Sequence, residues 1–161
     1  MNTAYTKVYT VTLKKKDVFY DIDMLSLYYS EITGGGDLAK ENRVSTETDA
    51  TGGNRIITRL CDHRVSDLRQ HLAKFIDNET ADAANDMLDA GDWEISLRIS
   101  TEAEDNMLSP LTDLMHDYVV NGALTDYYVN IGVTGNIESL RKRMDEDLAR
   151  IRELIYHRPM P

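Results

Sequence analysis

The chain has 161 residues, of which 42% are hydrophobic and 29% charged, and its formal net charge at pH 7 is −10. A chain of this length buries about 70% of the surface that its unfolded form exposes, so we expect a single folded domain with its own core. The acidic balance disfavours a protein whose main function is to bind nucleic acid, because affinity for phosphates comes from clustered Lys and Arg side chains.

The first two predicted elements are a strand and a helix. Residues 5–13 alternate mainly between Tyr, Val or Leu on one face and Thr on the other, which predicts a strand. From residue 17 to residue 33 apolar side chains recur every three or four positions. This spacing predicts a helix with one apolar face, and Asp17 is placed to cap its start.

Residues 34–54 form a polar stretch that has little to bury. A connection of about twenty residues is unusual inside a compact domain, so we expect a loop that is flexible or contacts a partner. Its two ends carry the glycines Gly34, Gly35, Gly36, Gly52 and Gly53. These glycines are interpreted as turns or hinges, because no Lys followed by Ser or Thr accompanies them as in a phosphate-binding loop.

The next two elements have the most regular patterns. An apolar stripe from Ile56 to Ile76 predicts a core helix of about six turns that begins near Asn54. A shorter helical stretch is expected to follow it, up to Gly91. Residues 93–99 are apolar at every second position, which predicts a strand with one buried face that pairs with the first strand.

Helical spacing returns in residues 108–131 and 137–155, with Gly122 as a candidate position for a bend. The elements together predict an α+β domain that is mainly α. We expect a bundle of about four helices with two β-strands in a hairpin or a small sheet. Residues 156–161 form an extended tail, because Pro159 keeps the preceding residue out of the helical conformation.

No sequence pattern indicates a catalytic, cofactor or metal site. Cys61 lies on the apolar stripe, and the adjacent Asp62 and His63 point in other directions on a helix, so Cys61 is interpreted as a packing residue. The four histidines are dispersed, and no paired CxxC, HExxH or calcium-loop pattern occurs. We therefore expect no enzyme activity, no cofactor and no metal.

Two groups of carboxylates are candidates for acid–base chemistry: Asp21 with Asp23, and Asp145 with Glu146 and Asp147. Neither group lies among apolar residues in the sequence. We therefore expect solvated carboxylates without the raised pKa that a general acid needs.

The sequence also contains nine tyrosines, several of them in the predicted helices. Tyrosine is favoured at protein interfaces, but most of the helical tyrosines are expected to pack against neighbouring helices. No segment approaches the roughly 20 apolar residues that span a bilayer, and the first residues lack the apolar core of a secretory signal. We expect cytoplasmic synthesis and no membrane association.

The last predicted helix ends in the sequence IRELIYHRP at residues 151–159, an amphipathic helix that runs into an aromatic residue, a basic pair and proline. With the order strand, helix, long helix, strand and two helices, this ending resembles small virion proteins of tailed phages and prophages of gut bacteria. The layout is similar to that of head–tail connector, or adaptor, proteins of long-tailed phages.

This resemblance implies a structural subunit that forms a homo-oligomeric ring at the portal–tail junction of the virion. Its implied partners are further copies of the chain, the portal protein and tail proteins, and DNA could pass through the ring without specific binding. The expected contact regions are the loop with its glycines and the C-terminal tail. In and before the tail the candidate contact residues are Arg152, Tyr156, Arg158 and Pro159.

Other functions stay open at this point. The acidity also fits a cytosolic interaction or regulatory module, such as an inhibitor that mimics DNA. A tail-completion or tail-terminator protein could share the same ending. An enzyme whose site is assembled from dispersed carboxylates and histidines is disfavoured, because no motif places those residues together.

Overall fold

The computed structural model describes residues 6–32, 53–77, 92–100, 107–132 and 135–155, and all structural statements refer to these ranges. Its elements are β1 (Thr6–Leu13), α1 (Lys15–Ile32), α2 (Gly53–His71), β2 (Trp93–Ser100), α3 (Leu108–Ile131) and α4 (Ile137–Ile155). Within these ranges the chain is mainly α, with four helices and a two-stranded antiparallel sheet, so the expected fold class is confirmed. None of the described helices is long and apolar enough to cross a membrane.

The two strands form a small sheet. They pair antiparallel over their full lengths, with Thr6 opposite Ser100 and Leu13 opposite Trp93. Because α1 and α2 lie between them in the chain, the pair is not a hairpin. Period-two alternation places one set of side chains in the core, as predicted: Tyr9, Val11, Leu13, Trp93, Ile95, Leu97 and Ile99.

The predicted length of the second helix is wrong at its C-terminal end. α2 ends at His71 rather than near Ile76, and a turn follows. Ile76 instead forms a bridge with Leu97 of β2, and the backbone N–H of Asp77 donates to the Ser96 carbonyl at 3.0 Å. These bonds pair backbone groups on the outer edge of β2 that a two-stranded sheet would leave unpaired. The sequence prediction failed here because an apolar stripe alone does not distinguish this arrangement from a longer helix.

The start of α1 also differs from the prediction. The helix begins at Lys15, so Asp17 lies in its first turn and is not the residue before it. The backbone N–H of Lys15 donates to Oδ1 of Asp92 at 3.0 Å. The residue before β2 thus supplies an acceptor for one of the N–H groups that a helix start leaves without a partner inside the helix.

α3 is the central helix of the fold. It packs against α1, α2, α4 and β1, and every residue from 118 to 125 is buried. Burial on all sides explains why the apolar residues of this segment are not confined to one face. The helix ends at Gly132, whose left-handed conformation (φ 78°) allows its N–H to bond back to the Val129 carbonyl.

α2 crosses α3 at Gly122. The Arg64 guanidinium makes two hydrogen bonds to the Asp126 carboxylate, at 2.7 and 2.6 Å, and its side chain lies directly over Gly122. A Cβ atom at position 122 would lie 2.6 Å from Cδ of Arg64. Gly122 therefore permits a close helix crossing, and α3 continues through it to Ile131.

We predict that Gly122→Ala lowers the free energy of unfolding by about 1–2 kcal/mol. The added methyl group displaces an Arg64 side chain whose guanidinium is fixed by Asp126, and this overpacking outweighs the gain of about 1 kcal/mol in helix propensity. Urea denaturation of the wild type and the variant measures the difference. In an Arg64→Ala background the same substitution should stabilise the protein; destabilisation there as well would contradict the proposed contact.

Candidate binding surface

One face of α1 carries large apolar side chains that the fold leaves exposed. Tyr20, Met24 and Tyr28 follow each other at four-residue intervals and are 64%, 48% and 55% exposed. The opposite face of the helix is buried through Val18 and Ile22. We call Tyr20, Met24 and Tyr28 the α1 stripe. Neighbouring exposed apolar side chains of this size are typical of surfaces that bind a partner.

The α1 stripe borders a cleft of about 640 Å³ between α1, α3 and the end of β1. Tyr20 belongs to both features. The cleft is lined by Thr12, Leu13, Lys14, Asp17, Tyr20, Asp21, Thr112, Asp113, His116 and Asp117. Because four of these residues are aspartates, we call it the acidic cleft.

The acidic cleft has an excess of negative charge, with four aspartates beside Lys14 and His116. The helix α3 contains three aspartates and no Lys or Arg, so it supplies negative charge to the cleft. Within α3, His116 is the one side chain that can offset this charge. Nε2 of His116 lies 2.5 Å from Oδ2 of Asp21 and joins α1 to α3. Burial raises the pKa of Asp117; the nearby Asp21 and Asp113 raise it further, while His116 acts in the opposite direction.

The expectation that the acidic run on α4 is a solvated face is wrong at Asp147. Asp145 and Glu146 are exposed, but Asp147 is half-buried, and Asn121 donates to its Oδ2 at 3.4 Å. Burial, and next the negative charge of Asp117, raise the pKa of Asp147 to about 6. The sequence indicated this partial burial, because Asp147 lies three positions after Met144 and therefore flanks the apolar stripe of α4.

The predicted contact residues are only partly covered by the described ranges. Arg152 is exposed on α4, and its Nη2 lies 3.3 Å from Nδ1 of His71, so it bridges α4 and α2 within the chain. Gly53 is the first residue of α2. The remaining predicted contacts lie outside the described residues: Gly34, Gly35, Gly36, Gly52, Tyr156, Arg158 and Pro159.

Cys61 is fully buried, as expected for a packing residue. Burial raises the pKa of its thiol to about 12, and the neighbouring Asp62 adds to this effect. Oδ1 of Asp62 accepts a hydrogen bond from Nε1 of Trp93 at 2.6 Å, which fixes this carboxylate against β2. Among the residues that the structure describes, no group of three His, Cys, Asp or Glu side chains is arranged to hold a metal ion.

Comparisons of the chain with protein-family models, with curated proteins and with solved structures found no match. The arguments for function therefore rest on the residues and on the geometry of this chain.

We predict that Asp147→Asn stabilises the protein at pH 7.5 by about 1 kcal/mol, since solvent screening leaves only part of the pKa shift as stability. The folded-state pKa is raised, so the charged carboxylate destabilises the fold above pH 6. This cost declines as the pH falls through 6 towards 4, and the gain from Asn should decline with it. Thermal unfolding of both proteins between pH 4 and pH 8 measures the difference.

Glu146→Gln is the matched control for this experiment, because it removes the same charge from an exposed neighbour on the same helix. Its effect on the melting temperature should be small at every pH. Equal pH-dependent stabilisation by both substitutions would show that overall charge, rather than the position of Asp147, is responsible.

Proposed function

We propose that this protein is a virion structural subunit of a tailed phage or prophage, a head–tail connector that assembles into a ring at the portal–tail junction. The observation that carries the proposal is the α1 stripe, with its three large side chains about half or more exposed. A surface of this kind is covered when a partner docks, and aromatic residues and Met are enriched in such contacts.

The position of α1 supports this role. One side of the helix packs on α3, its start is tied to Asp92, and Asp21 joins it to His116. The α1 stripe is therefore held on a fixed element, so little conformational entropy is lost when it binds. The resemblance in layout and in the ending at residues 151–159 supports the choice of a head–tail connector among assembly proteins.

The acidic cleft favours a second candidate, a regulatory module that binds a basic host protein. Its aspartates could take up Lys or Arg side chains of such a partner. This function predicts a discrete complex at low stoichiometry with a host protein and no association with virions. The connector function predicts association with virions and no such complex with a host protein.

The proposal is tested by mixing the purified protein with isolated capsid–portal particles of the same phage. Light scattering after size exclusion gives the mass of the free protein, and sedimentation separates bound from free chains. We expect several copies bound to each particle. Chains that remain free and instead form a complex with a host protein would favour the regulatory module.

We predict that Tyr20→Ser with Tyr28→Ser reduces binding to the particles at least about tenfold, because loss of central aromatic contacts is costly in interfaces. The stability of the monomer should change by less than about 0.5 kcal/mol, since both side chains are exposed. Val129→Ser is the control, because Val129 is 48% exposed on another helix. Equal losses in both variants would contradict a specific role of the α1 stripe.

We also predict that Tyr156→Ala with Arg158→Ala abolishes incorporation into particles while leaving the stability of the monomer nearly unchanged. The reason is the proposed contact of the C-terminal tail with neighbouring subunits. Particle binding and urea denaturation of the same variant measure the two effects. A large loss of stability would show that these residues belong to the fold of the monomer.

A further inference from the structure

We infer that the α1 stripe and the acidic cleft of one copy receive the outward face of α2 from a neighbouring copy. The choice of a second copy as the occupant rests on the proposed ring. Two unlike surfaces of the same chain meet in this contact, so each subunit can bind one neighbour on each side. Such a head-to-tail contact closes into a ring when the rotation between subunits allows it.

The outward face of α2 consists of Ile56, Arg59 and His63, which we call the α2 face. Their spacing of three and then four residues places them on one side of the helix. All three side chains are exposed, Ile56 to 54%. The α2 face therefore combines a large apolar side chain with a permanent positive charge and an imidazole.

The two surfaces are complementary in charge. The acidic cleft presents Asp17, Asp21, Asp113 and Asp117 against the one lysine Lys14, and the α2 face presents Arg59. A guanidinium group matches carboxylates in geometry and keeps its charge at any physiological pH. A cleft of about 640 Å³ has room for such a side chain.

The apolar parts of the two surfaces have matching positions. On α1, Met24 lies three residues after Asp21, and on α2, Ile56 lies three residues before Arg59. Both separations correspond to about 4.5 Å along a helix axis. With Arg59 in the acidic cleft, Ile56 can therefore contact the α1 stripe when the two helices lie antiparallel.

Other surfaces of the chain fit less well. Arg141, Lys142 and Arg143 are exposed on α4, but the exposed acids Asp145 and Glu146 follow at once. No large hydrophobic side chain is exposed on α4 within its described residues. Pairing of the acidic cleft with itself is disfavoured, because like charges would face each other.

Two variants with complementary defects test the contact. Met24→Lys with Tyr28→Ser blocks the α1 stripe, and Ile56→Ser with Arg59→Glu blocks the α2 face. Sedimentation velocity at protein concentrations up to about 1 mM detects weak association. We expect the wild type to self-associate and each variant alone to remain monomeric.

An equal mixture of the two variants should form a 1:1 dimer and nothing larger, because one intact contact remains between them. Self-association of the α2-blocked variant would show that α1 faces pair with each other and would overturn the inference. A wild type that stays monomeric up to about 1 mM would overturn it too. Circular dichroism and urea denaturation verify that both variants are folded.

Charge specificity is tested with two single reversals, Arg59→Glu and Lys142→Glu, which change the net charge equally. Arg59→Glu should weaken self-association at least about tenfold, and Lys142→Glu less than about twofold. Equal effects would indicate net charge rather than the proposed contact.

Particle binding separates this inference from the proposed function. If the protein self-associates through these faces but does not bind particles, the connector function is contradicted and the proposed contact stands. If the protein binds particles but stays monomeric up to about 1 mM, the proposed contact is contradicted and the connector function stands.

Discussion

The fold depends on the burial of the middle of α3, where every residue from 118 to 125 is buried. A helical segment that is buried on all sides must be surrounded, and here α1, α2, α4 and β1 supply the neighbours of α3. At the crossing with α2, Gly122 leaves room for Arg64 to reach Asp126. Asp67 of α2 extends the same polar contact by accepting a hydrogen bond from the Tyr118 hydroxyl at 2.6 Å.

The position of the α1 stripe follows from the same constraint. α1 covers one side of α3, which is its principal neighbour among the described helices, and it leaves Tyr20, Met24 and Tyr28 exposed. The aspartates at the N-terminal half of α3 then lie beside α1 and cannot enter the core without a large desolvation cost. They line an open cleft instead. The packing of α3 thus places an apolar surface and a negative charge next to each other on the outside of the molecule.

Most of the fold could be predicted from the sequence, because apolar periodicity reports directly which side of each element is buried. The strands and α4 have clear patterns of this kind. The end of α2 could not be predicted, since residues 72–77 remain apolar enough for a helix while their backbone bonds to β2. The contact of Asp92 with the start of α1 could not be predicted from local patterns either, because it joins residues 77 positions apart.

The candidate site was less accessible to sequence reasoning. The expectation that most helical tyrosines pack inside holds for Tyr29, Tyr118 and Tyr128, which are buried, whereas Tyr28 and Tyr20 are exposed. Spacing alone places Tyr20, Met24 and Tyr28 on one face but does not say that the face is uncovered. The cleft is also a tertiary feature, since Asp21 and His116 meet only when α1 packs on α3.

The distribution of charge links the fold to the proposed assembly. The net charge of −10 makes free subunits repel one another at long range, while α2 carries an excess of Arg over Asp. Repulsion acts on the whole molecule and is screened by salt, whereas the proposed contact acts only between α1 and α2 at short distance. In the proposed assembly, subunits associate weakly when free and strongly once the portal holds them side by side, because the second contact then forms at a high effective concentration. In the proposed assembly, the acidic subunits therefore come together on their template and stay dispersed elsewhere.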